Sequence, residues 1–353
     1  MKKDASASRR SHALALRQPI AKGSSNRRAV KAVRPVGPRK PTTIELCAGA
    51  GGQALGVARA GFDHLALVEF DAACCSTLRA NRPLWNVFHC DVAKFDGRRY
   101  LDKVDLLAAG LPCLPFTVAG KQEGELDERN MFPEALRLIE EMRPKAIMIE
   151  NVAGFLAPRF ETYREQLRNQ LGLLGYAVVW RLFNAVDFGV PQARQRVFIV
   201  AMLKRYSSAF AWPEPAAKPP LSVGDALYDL MAENGWADAK AWRSNATGPA
   251  PTIVGGSKKH GGPDLGPTRT RQAWEKLGVN GKSVADAAPD RAFVGLPRLT
   301  VAMVARLQGF PDAWKFSGGK TAAYRQVGNA LPPQLAQAVA KSIRTALMAD
   351  KTS

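Results

Sequence analysis

The feature that most constrains the fold of this chain is the alternation of short apolar segments with helical segments between residues 42 and 203. Each apolar segment has the length and aliphatic composition of a buried strand. Strands that alternate with helices need right-handed crossovers, and they therefore pair in a mostly parallel sheet. We predict an α/β fold, doubly wound around a mostly parallel sheet. The strand-like segments are residues 43–47, 65–69, 104–109, 146–150, 176–183 and 196–202.

Changes in composition predict the domain organisation. Residues 1–41 combine Lys and Arg with Ser and Ala, and are expected to be a disordered basic tail. Residues 42–203 carry the α/β pattern. Residues 204–297 are rich in Pro, Gly and Lys, with one helix expected at 270–277, and predict a second, smaller, loop-rich domain. Residues 298–347 return to helical periodicity and are expected to complete the first domain.

The formal charge of +19 is the first indication of a partner. Residues 1–40 carry +11 of this charge, and the remainder carries +8. Excess positive charge on a folded domain favours a polyanion such as nucleic acid, although charge that serves only solubility is the alternative. Charge alone therefore names no substrate.

Cysteine usage and the lengths of apolar runs indicate the compartment. The five cysteines are odd in number and lack paired metal-type spacing, which favours free thiols in a reducing compartment and predicts no metal site. No apolar stretch reaches the roughly 20 residues that span a bilayer, and the basic N-terminus has no apolar core like that of a secretory signal. We expect a cytoplasmic protein that does not enter a membrane.

A glycine-rich turn follows the first predicted strand and indicates a nucleoside cofactor. Gly49, Gly51 and Gly52 let the backbone approach a ligand, and the next helix offers unpaired N–H groups. Glu69 closes the second strand twenty residues after Gly49, the spacing at which an acid binds ribose hydroxyls. At this point a nicotinamide or flavin enzyme remains a rival interpretation, and so do glycines that serve only a tight turn.

A thiol, a carboxyl group and two guanidiniums are predicted to meet at one edge of the sheet. Cys113 follows the strand ending at Ala109, in a loop stiffened by proline, and Glu150 ends the next strand. Arg194 and Arg196 precede a further strand, where alternation sends both to one face. A lone cysteine after a strand is more often structural, but core packing does not require these neighbours, whereas a nucleophilic thiol does.

The ordered set of such segments resembles the DNA cytosine-5 methyltransferases. The matching segments span residues 43–340 nearly completely, and they occur in that family's order. A dehydrogenase has no use for a Pro-Cys loop or for Gln-Val-Gly-Asn-Ala, so the resemblance removes that rival. The segments are Glu45–Gly52, Glu69, Asp91, Gly110–Thr117, Glu150–Val152, Gln192–Arg196, Arg298–Thr300, Arg306–Asp312 and Gln326–Pro333.

The resemblance implies a Rossmann-like class I methyltransferase that methylates C5 of cytosine in a specific duplex DNA sequence. The target base would be flipped out of the stack, because its C5 is buried there. Cys113 would add to C6 of the base, and Glu150 would protonate or hydrogen-bond N3. Arg194 and Arg196 would hold the base and orient Glu150.

The same resemblance assigns a binding site for S-adenosylmethionine, with S-adenosylhomocysteine as the product. Glu69 would bind the cofactor ribose and Asp91 the adenine amino group, while Asn329 and Ala330 would close the pocket. The residues expected at this site are Cys47, Ala48, Gly49, Gly51, Gly52, Glu69, Phe70, Asp91, Val92, Pro112, Asn329 and Ala330.

Residues 204–297 occupy the position of the family's target-recognition domain, so double-stranded DNA is the expected partner. The loop at 121–130 is expected to cover the flipped base, and the basic tail to add DNA affinity that falls with salt. A cognate restriction endonuclease acting on the same site would be a second partner, and a monomer is expected. The candidate DNA contacts, for which a solvated basic loop is the alternative, are Lys121, Lys258, Lys259, Arg269 and Arg271.

Several positions depart from the family pattern, and two rivals stay open. Cys47 replaces Phe, Glu45 replaces Asp, Leu114 replaces Gln, and the pair at 302–303 lacks an acid often found before Arg306. None of these changes removes a group that the reaction needs. The rivals are a tRNA cytosine-5 methyltransferase, disfavoured by the long recognition segment, and a catalytically silent DNA-binding relative.

Overall fold

The computed structural model describes residues 39–112, 130–217, 220–256 and 262–349. The strands within these ranges are β1 (Thr42–Leu46), β2 (Asp63–Glu69), β3 (Val87–His89), β4 (Leu106–Gly110), β5 (Ala146–Asn151), β6 (Tyr176–Asn184) and β7 (Gln195–Leu203). The helices are α1 (Gly52–Arg59), α2 (Ala72–Asn81), α3 (Phe132–Met142), α4 (Glu161–Leu173), α5 (Lys204–Ser207), α6 (Val223–Ala232), α7 (Ala239–Asn245), α8 (Thr268–Glu275), α9 (Val301–Leu307), α10 (Lys320–Asn329) and α11 (Pro333–Ala349).

The strands form one seven-stranded sheet in the order β3-β2-β1-β4-β5-β7-β6. Neighbouring pairs from β3 to β5 are parallel, whereas β7 is antiparallel to both β5 and β6. The predicted α/β fold with a mostly parallel sheet is confirmed. The carboxyl ends of β1, β2, β4 and β5 therefore meet at one edge, where a doubly wound sheet binds its ligands.

Apolar side chains bury both faces of the sheet. Ile44 and Leu46 of β1 pack on one face with α3 residues such as Leu138, and the other face packs against α11 through residues such as Val339. Helix α11 crosses α1 so closely that a Cβ at Gly56 would collide with the Pro333 carbonyl oxygen. The C-terminal helix thus packs beside the glycine-rich turn that precedes α1.

The segment between residues 204 and 297 is more helical than the sequence predicts. The sequence predicts one helix there, at 270–277, and α8 fills that position, but α5, α6 and α7 also form. Helix α6 buries Val223, Leu227 and Met231 against a core that includes four tryptophans. The apolar pattern of α6 spans only ten residues and is flanked by Pro- and Gly-rich segments. The sequence alone therefore does not predict this helix, whereas its packing against the core shows it. Between 220–256 and 262–297 this segment contributes isolated bridges and no strand to the sheet.

Within the described ranges, no helix is both long and apolar enough to cross a bilayer. No group of three or more His, Cys, Asp or Glu side chains in those ranges is arranged to hold a metal ion.

Candidate active site

The strand register places a carboxyl group beside the start of the Pro-Cys loop. Gly110, the last residue of β4, is the Cα partner of Glu150 on β5. Leu111 and Pro112 continue from Gly110 and are buried and half-buried. Cys113 follows directly in the sequence but lies outside the described residues, as do Leu114, the loop at 121–129, and the lysines at 121, 258 and 259.

Glu150 and Arg196 form a buried ion pair at this edge. The Arg196 Nε lies 2.7 Å from Glu150 Oε1, and the two side chains are 13% and 10% exposed. Both groups come from neighbouring strands, because β5 and β7 pair with Glu150 opposite Phe198. A carboxylate taken out of water needs such a partner, since an unpaired buried charge costs several kcal/mol. The structure therefore brings these two predicted residues together.

Arg194 is placed differently from Arg196. Its guanidinium is almost fully buried, and it donates from Nη1 to the Ile253 carbonyl at 2.7 Å and from Nη2 to the Gly328 carbonyl at 2.9 Å. Strand β7 begins at Gln195, so the strand alternation that would align the two arginines does not extend to Arg194. Arg194 joins the segment before residue 256 to the end of α10, beside the predicted pocket residue Asn329.

The glycine-rich turn after β1 leaves open space at one glycine and none at the other two. Gly49 has a φ of 54°, and a Cβ built there meets no atom within 4 Å. A Cβ at Gly51, whose φ is 87°, would lie 2.7 Å from Leu78 Cδ2, and one at Gly52 would collide with the Leu331 carbonyl. Gly51 and Gly52 are therefore required by packing, whereas Gly49 leaves room for a ligand against the backbone.

Glu69, the last residue of β2, is hydrogen-bonded to the backbone of this turn. Glu69 accepts the Gly49 N–H on Oε2 and the Asp71 N–H on Oε1, each at 2.7 Å. Burial raises the pKa of the Glu69 carboxyl, and the backbone N–H groups oppose that shift. Each oxygen keeps a lone pair after these bonds, so Glu69 can still accept two hydroxyl hydrogen bonds.

The other predicted cofactor residues line the same edge of the sheet. The Phe70 ring is 67% exposed directly after β2, and Val92 is buried. Asp91 is exposed and accepts the Ala93 N–H at 2.9 Å. Ala48 is 6% exposed and donates its N–H to the Val68 carbonyl at 3.1 Å. An exposed aromatic ring, an exposed carboxyl group and a buried aliphatic side chain suit a nucleoside.

The end of α10 packs beside the glycine-rich turn, where a Cβ at Gly52 would lie 3.1 Å from Ala330 Cβ. Asn329 donates from Nδ2 to the Gly256 carbonyl at 3.1 Å, and Ala330 is 9% exposed. The Gln308 amide donates to the Ala330 carbonyl. The end of α10 is therefore fixed to the second segment before a ligand binds.

Cys47 contributes a neutral thiol to the site. Its backbone is left-handed, with a φ of 53°. Burial, followed by the charge of Glu69, raises the pKa of the Cys47 thiol to about 12. Burial likewise raises the pKa of Cys75 to about 11. Both thiols stay protonated at neutral pH, and a protonated thiol is a poor nucleophile.

Two of the five candidate DNA-contact residues lie within the described ranges. Arg269 and Arg271 are in the first turn of α8, where Arg269 is exposed and Arg271 is half-buried against Gly281. Helix α8 is held to the second core by Trp274, which is fully buried. This packing fixes the position of the two arginines on the surface.

Sequence reasoning missed two polar connections around the site. Gln192 donates to the Gln308 side chain at 2.7 Å and accepts the Ile253 N–H at 3.0 Å. Arg306 pairs with Asp312 at 2.6 Å and with Asp229 of α6, which supplies an acid from another part of the chain. Gln192 and Gln308 are fully buried, which only the tertiary structure shows. In the sequence, the one indication of their role was that both lie in segments that match the family.

The fold and the cleft together define the class of the protein. A doubly wound sheet with one reversed strand, a glycine turn after β1 and an acid after β2 are the features of a class I methyltransferase. The solved structure of the Entamoeba histolytica methyltransferase EhMeth superimposes with a TM-score of 0.62, covering 90% of this chain and 100% of that chain at 14% identity. A likeness at this identity supports the fold.

Sequence comparison then gives the family. The model of the C-5 cytosine-specific DNA methylases matches residues 41–345. Type II methyltransferase M.NgoMIV of Neisseria gonorrhoeae is 50% identical over 309 residues, which is 87% of this chain and 98% of that protein. Type II methyltransferase M.NaeI of Lentzea aerocolonigenes is 50% identical over 310 residues, 86% of this chain and 75% of that protein. The chain belongs to this family and is a DNA (cytosine-5) methyltransferase.

Proposed function

We propose that this enzyme methylates cytosine within one duplex DNA sequence through a covalent bond between Cys113 and C6 of a flipped base. The observation that carries the proposal is the buried Glu150–Arg196 pair at the carboxyl edge of β5. Glu150 lies opposite Gly110, three residues before Cys113 in the sequence. An acid and a guanidinium beside a thiol-bearing loop are the groups that this chemistry uses.

The proposed roles follow from where charge moves in the base. When the Cys113 thiolate bonds to C6, the electron pair of the C5–C6 double bond moves toward N3 and the C2 carbonyl, and C5 becomes nucleophilic. In its protonated form Glu150 donates a proton or hydrogen bond to N3, and Arg196 holds the Glu150 carboxyl in place. After C5 gains the methyl group, N3 returns its proton to Glu150, a base removes the C5 proton, and the C6–S bond breaks, which releases the thiolate.

The proposed methyl donor is S-adenosylmethionine, and the residues present fit it. The open space above Gly49 accepts a ligand against the backbone, and the lone pairs left on Glu69 suit ribose hydroxyls. Asp91 would accept the adenine amino group, and Phe70 would cover the adenine ring. When bound, the cofactor supplies an electrophilic methyl group on a sulfonium, and S-adenosylhomocysteine is the product. Arg194 and Asn329 would keep the opposite side of the cleft fixed.

Sequence recognition is proposed for the segment between 204 and 297. Arg269 and Arg271 on α8 would contact phosphates or guanine edges, together with the lysines at 121, 258 and 259. We further propose a monomer in the bacterial cytoplasm, associated with the nucleoid, and a restriction endonuclease of the same sequence specificity as partner. The basic tail at 1–41 would add affinity for any DNA.

The test is covalent trapping on duplex DNA that carries 5-fluorocytosine, with S-adenosylmethionine present. Fluorine at C5 cannot leave as a proton does, so the Cys113–C6 bond persists and a denaturation-resistant adduct forms. Wild type and the matched Cys74→Ser variant should form the adduct, whereas Cys113→Ser should form none. Absence of an adduct with wild type would indicate a silent DNA-binding relative, and faster methylation of tRNA than of duplex DNA would indicate the tRNA rival.

A further inference from the structure

A buried acid–imidazole pair lies beneath the cofactor turn and has no role in the function proposed above. Glu45 of β1 and His64 of β2 approach to 3.6 Å between Oε2 and Nε2, and each side chain is only 1% exposed. Neither His64 ring nitrogen has a hydrogen-bond partner among the described residues, so the contact between the two groups is electrostatic. Such a pair costs desolvation energy, and an apolar pair would pack there as well.

The Glu45 side of the pair holds the start of α1. The Ala54 N–H in the first turn of that helix lowers the pKa of the Glu45 carboxyl, so the two groups attract each other. The first N–H groups of a helix have no partner within the helix, so a carboxyl at this point fixes where the helix begins. Because α1 begins at Gly52, Glu45 thereby positions the end of the turn that contains Gly49.

The His64 side of the pair leads to the middle of the same turn. The His64 ring lies 4.9 Å from the Trp85 ring, and Trp85 lies 6.4 Å from Trp314. Trp314 donates from Nε1 to the Ala50 carbonyl at 3.2 Å. The pair therefore acts on both ends of the turn, on Ala54 through the attraction of Glu45 and on Ala50 through two indole rings.

The two groups depend on each other electrostatically. Burial raises the pKa of the Glu45 carboxyl, whereas the proximity and charge of His64, followed by the Ala54 N–H, lower it. Without the imidazole, the pKa of this carboxyl would rise further, and its attraction for the Ala54 N–H would weaken. The start of α1 would then be held less firmly by Glu45.

We propose that Glu45 and His64 are positioning residues that act as a unit to fix the cofactor turn, so that affinity for the methyl donor depends on both. The inference rests on the proposed function, because it takes the turn at Gly49 as the site of S-adenosylmethionine. It assigns the pair no contact with the cofactor and no part in the chemistry on the base.

The test is a double-mutant cycle read out as affinity for S-adenosylhomocysteine by calorimetry. His64→Phe keeps an aromatic ring on Trp85 but leaves Glu45 buried without its partner, and should weaken affinity about tenfold. Glu45→Gln keeps a neutral acceptor for the Ala54 N–H and should weaken it about threefold. The double variant should bind as tightly as Glu45→Gln alone, which is a rescue of His64→Phe.

A second readout separates positioning from a general loss of structure. With saturating cofactor, kcat should stay within about twofold of wild type in all three variants, while KM for the cofactor follows the affinity. Asp105→Asn is the matched control, because Asp105 is a buried carboxyl at the opposite edge of the sheet, 2.7 Å from Lys145. It should lose stability and keep wild-type affinity for S-adenosylhomocysteine.

Three outcomes would overturn the inference. His64→Phe could bind as tightly as wild type, the losses in the double variant could add, or Asp105→Asn could lose as much affinity as His64→Phe. Because His64→Phe strands a buried acid and can fail to fold, His64→Gln is measured in parallel, with the same rescue expected from Glu45→Gln. If wild type binds no S-adenosylhomocysteine, the proposed cofactor site is wrong and this inference falls with it; weakened variants of a binding wild type leave that site intact.

Discussion

The sheet region at 42–203 and the segment at 204–297 both bury apolar side chains, but they satisfy their backbone polar groups in different ways. In the sheet, β5, β7 and β6 pair along their whole lengths, so backbone donors and acceptors match each other. In the second segment, indole groups supply donors to backbone carbonyls. Trp236 donates to the Phe293 carbonyl, and Trp242 donates to the carbonyls of Leu277 and Gly278.

The difference teaches where single residues matter most. A strand ladder distributes its hydrogen bonds over many residues, so any apolar side chain of suitable size maintains it. A loop core closed by particular side chains depends on each of them, since a buried carbonyl that loses its donor costs about 1–3 kcal/mol. The second segment should therefore tolerate substitution of its core less well than the sheet does.

The largest effect is expected from truncation of the tryptophan that anchors α8. Trp274→Ala should lower the free energy of unfolding by about 3–5 kcal/mol, as deletion of a buried ring does. If the two regions are held independently, duplex DNA affinity falls while affinity for S-adenosylhomocysteine stays within about twofold. Phe198→Ala, a matched truncation in β7, should lower both affinities. Urea denaturation and calorimetry measure these quantities, and equal cofactor losses in the two variants would contradict the comparison.

A smaller effect is expected where the two regions are joined. Gln308 is fully buried, accepts from Gln192 and donates to the Ala330 carbonyl. Gln308→Leu removes the donor to the Ala330 carbonyl and leaves Gln192 Nε2 only its bond to the Leu307 carbonyl, so it should cost about 2 kcal/mol. Gln337→Leu is the control and should change stability by less than about 0.5 kcal/mol, because Gln337 is half-buried on α11 and makes one long hydrogen bond, to the Arg59 carbonyl at 3.4 Å. If thermal denaturation finds equal losses, the buried amide pair does not hold the regions together.

The next effect in size is the loss of stability at low pH (the acid limb of the stability curve), to which Asp105 of the sheet region contributes. The Lys145 ammonium and the Thr42 backbone N–H hold the pKa of Asp105 below its ordinary value, against the opposing effect of burial, which is the largest single influence. A lowered folded pKa means that the stabilisation is complete above the ordinary value of 3.8 and is lost as the pH falls through the folded pKa. Asp105→Asn should therefore cost about 1 kcal/mol at pH 7 and flatten the loss of stability below pH ~4. A variant with the same acid limb as wild type in denaturation curves would refute this assignment.

The smallest effect is expected from an exposed ion pair of the second segment. Asp229 pairs with Arg306, but its side chain is 66% exposed and Arg306 retains Asp312. Asp229→Asn should lower the free energy of unfolding by about 0.5 kcal/mol, and less at high salt, because water and ions screen such pairs. A loss above that of Asp105→Asn at pH 7 would show that exposed pairs hold this segment more firmly than the sheet is held by its buried pair.

The sequence predicted the elements whose signal is local and periodic. The strands that flank the cleft, the turn at Gly49 and the long helix α11 all follow from apolar periodicity and glycine placement, and so does the nearness of Glu150 to the Pro-Cys loop. The short strand β3 and helix α10 were missed, because three residues carry no period and α10 buries only part of its surface.

The amino-acid order by itself determined the sheet, its carboxyl edge and the family, since hydrophobic period and motif order are properties of neighbouring residues. Only the tertiary structure decided that Arg196 rather than Arg194 pairs with Glu150, that Asp229 reaches Arg306, and that Glu45 faces His64. Some of those contacts join residues that are distant along the chain. The choice of Arg196 over Arg194 depends on the residue at which β7 begins. Their partners are chosen by packing and by the cost of leaving a buried charge alone, and neither quantity can be read from adjacent letters.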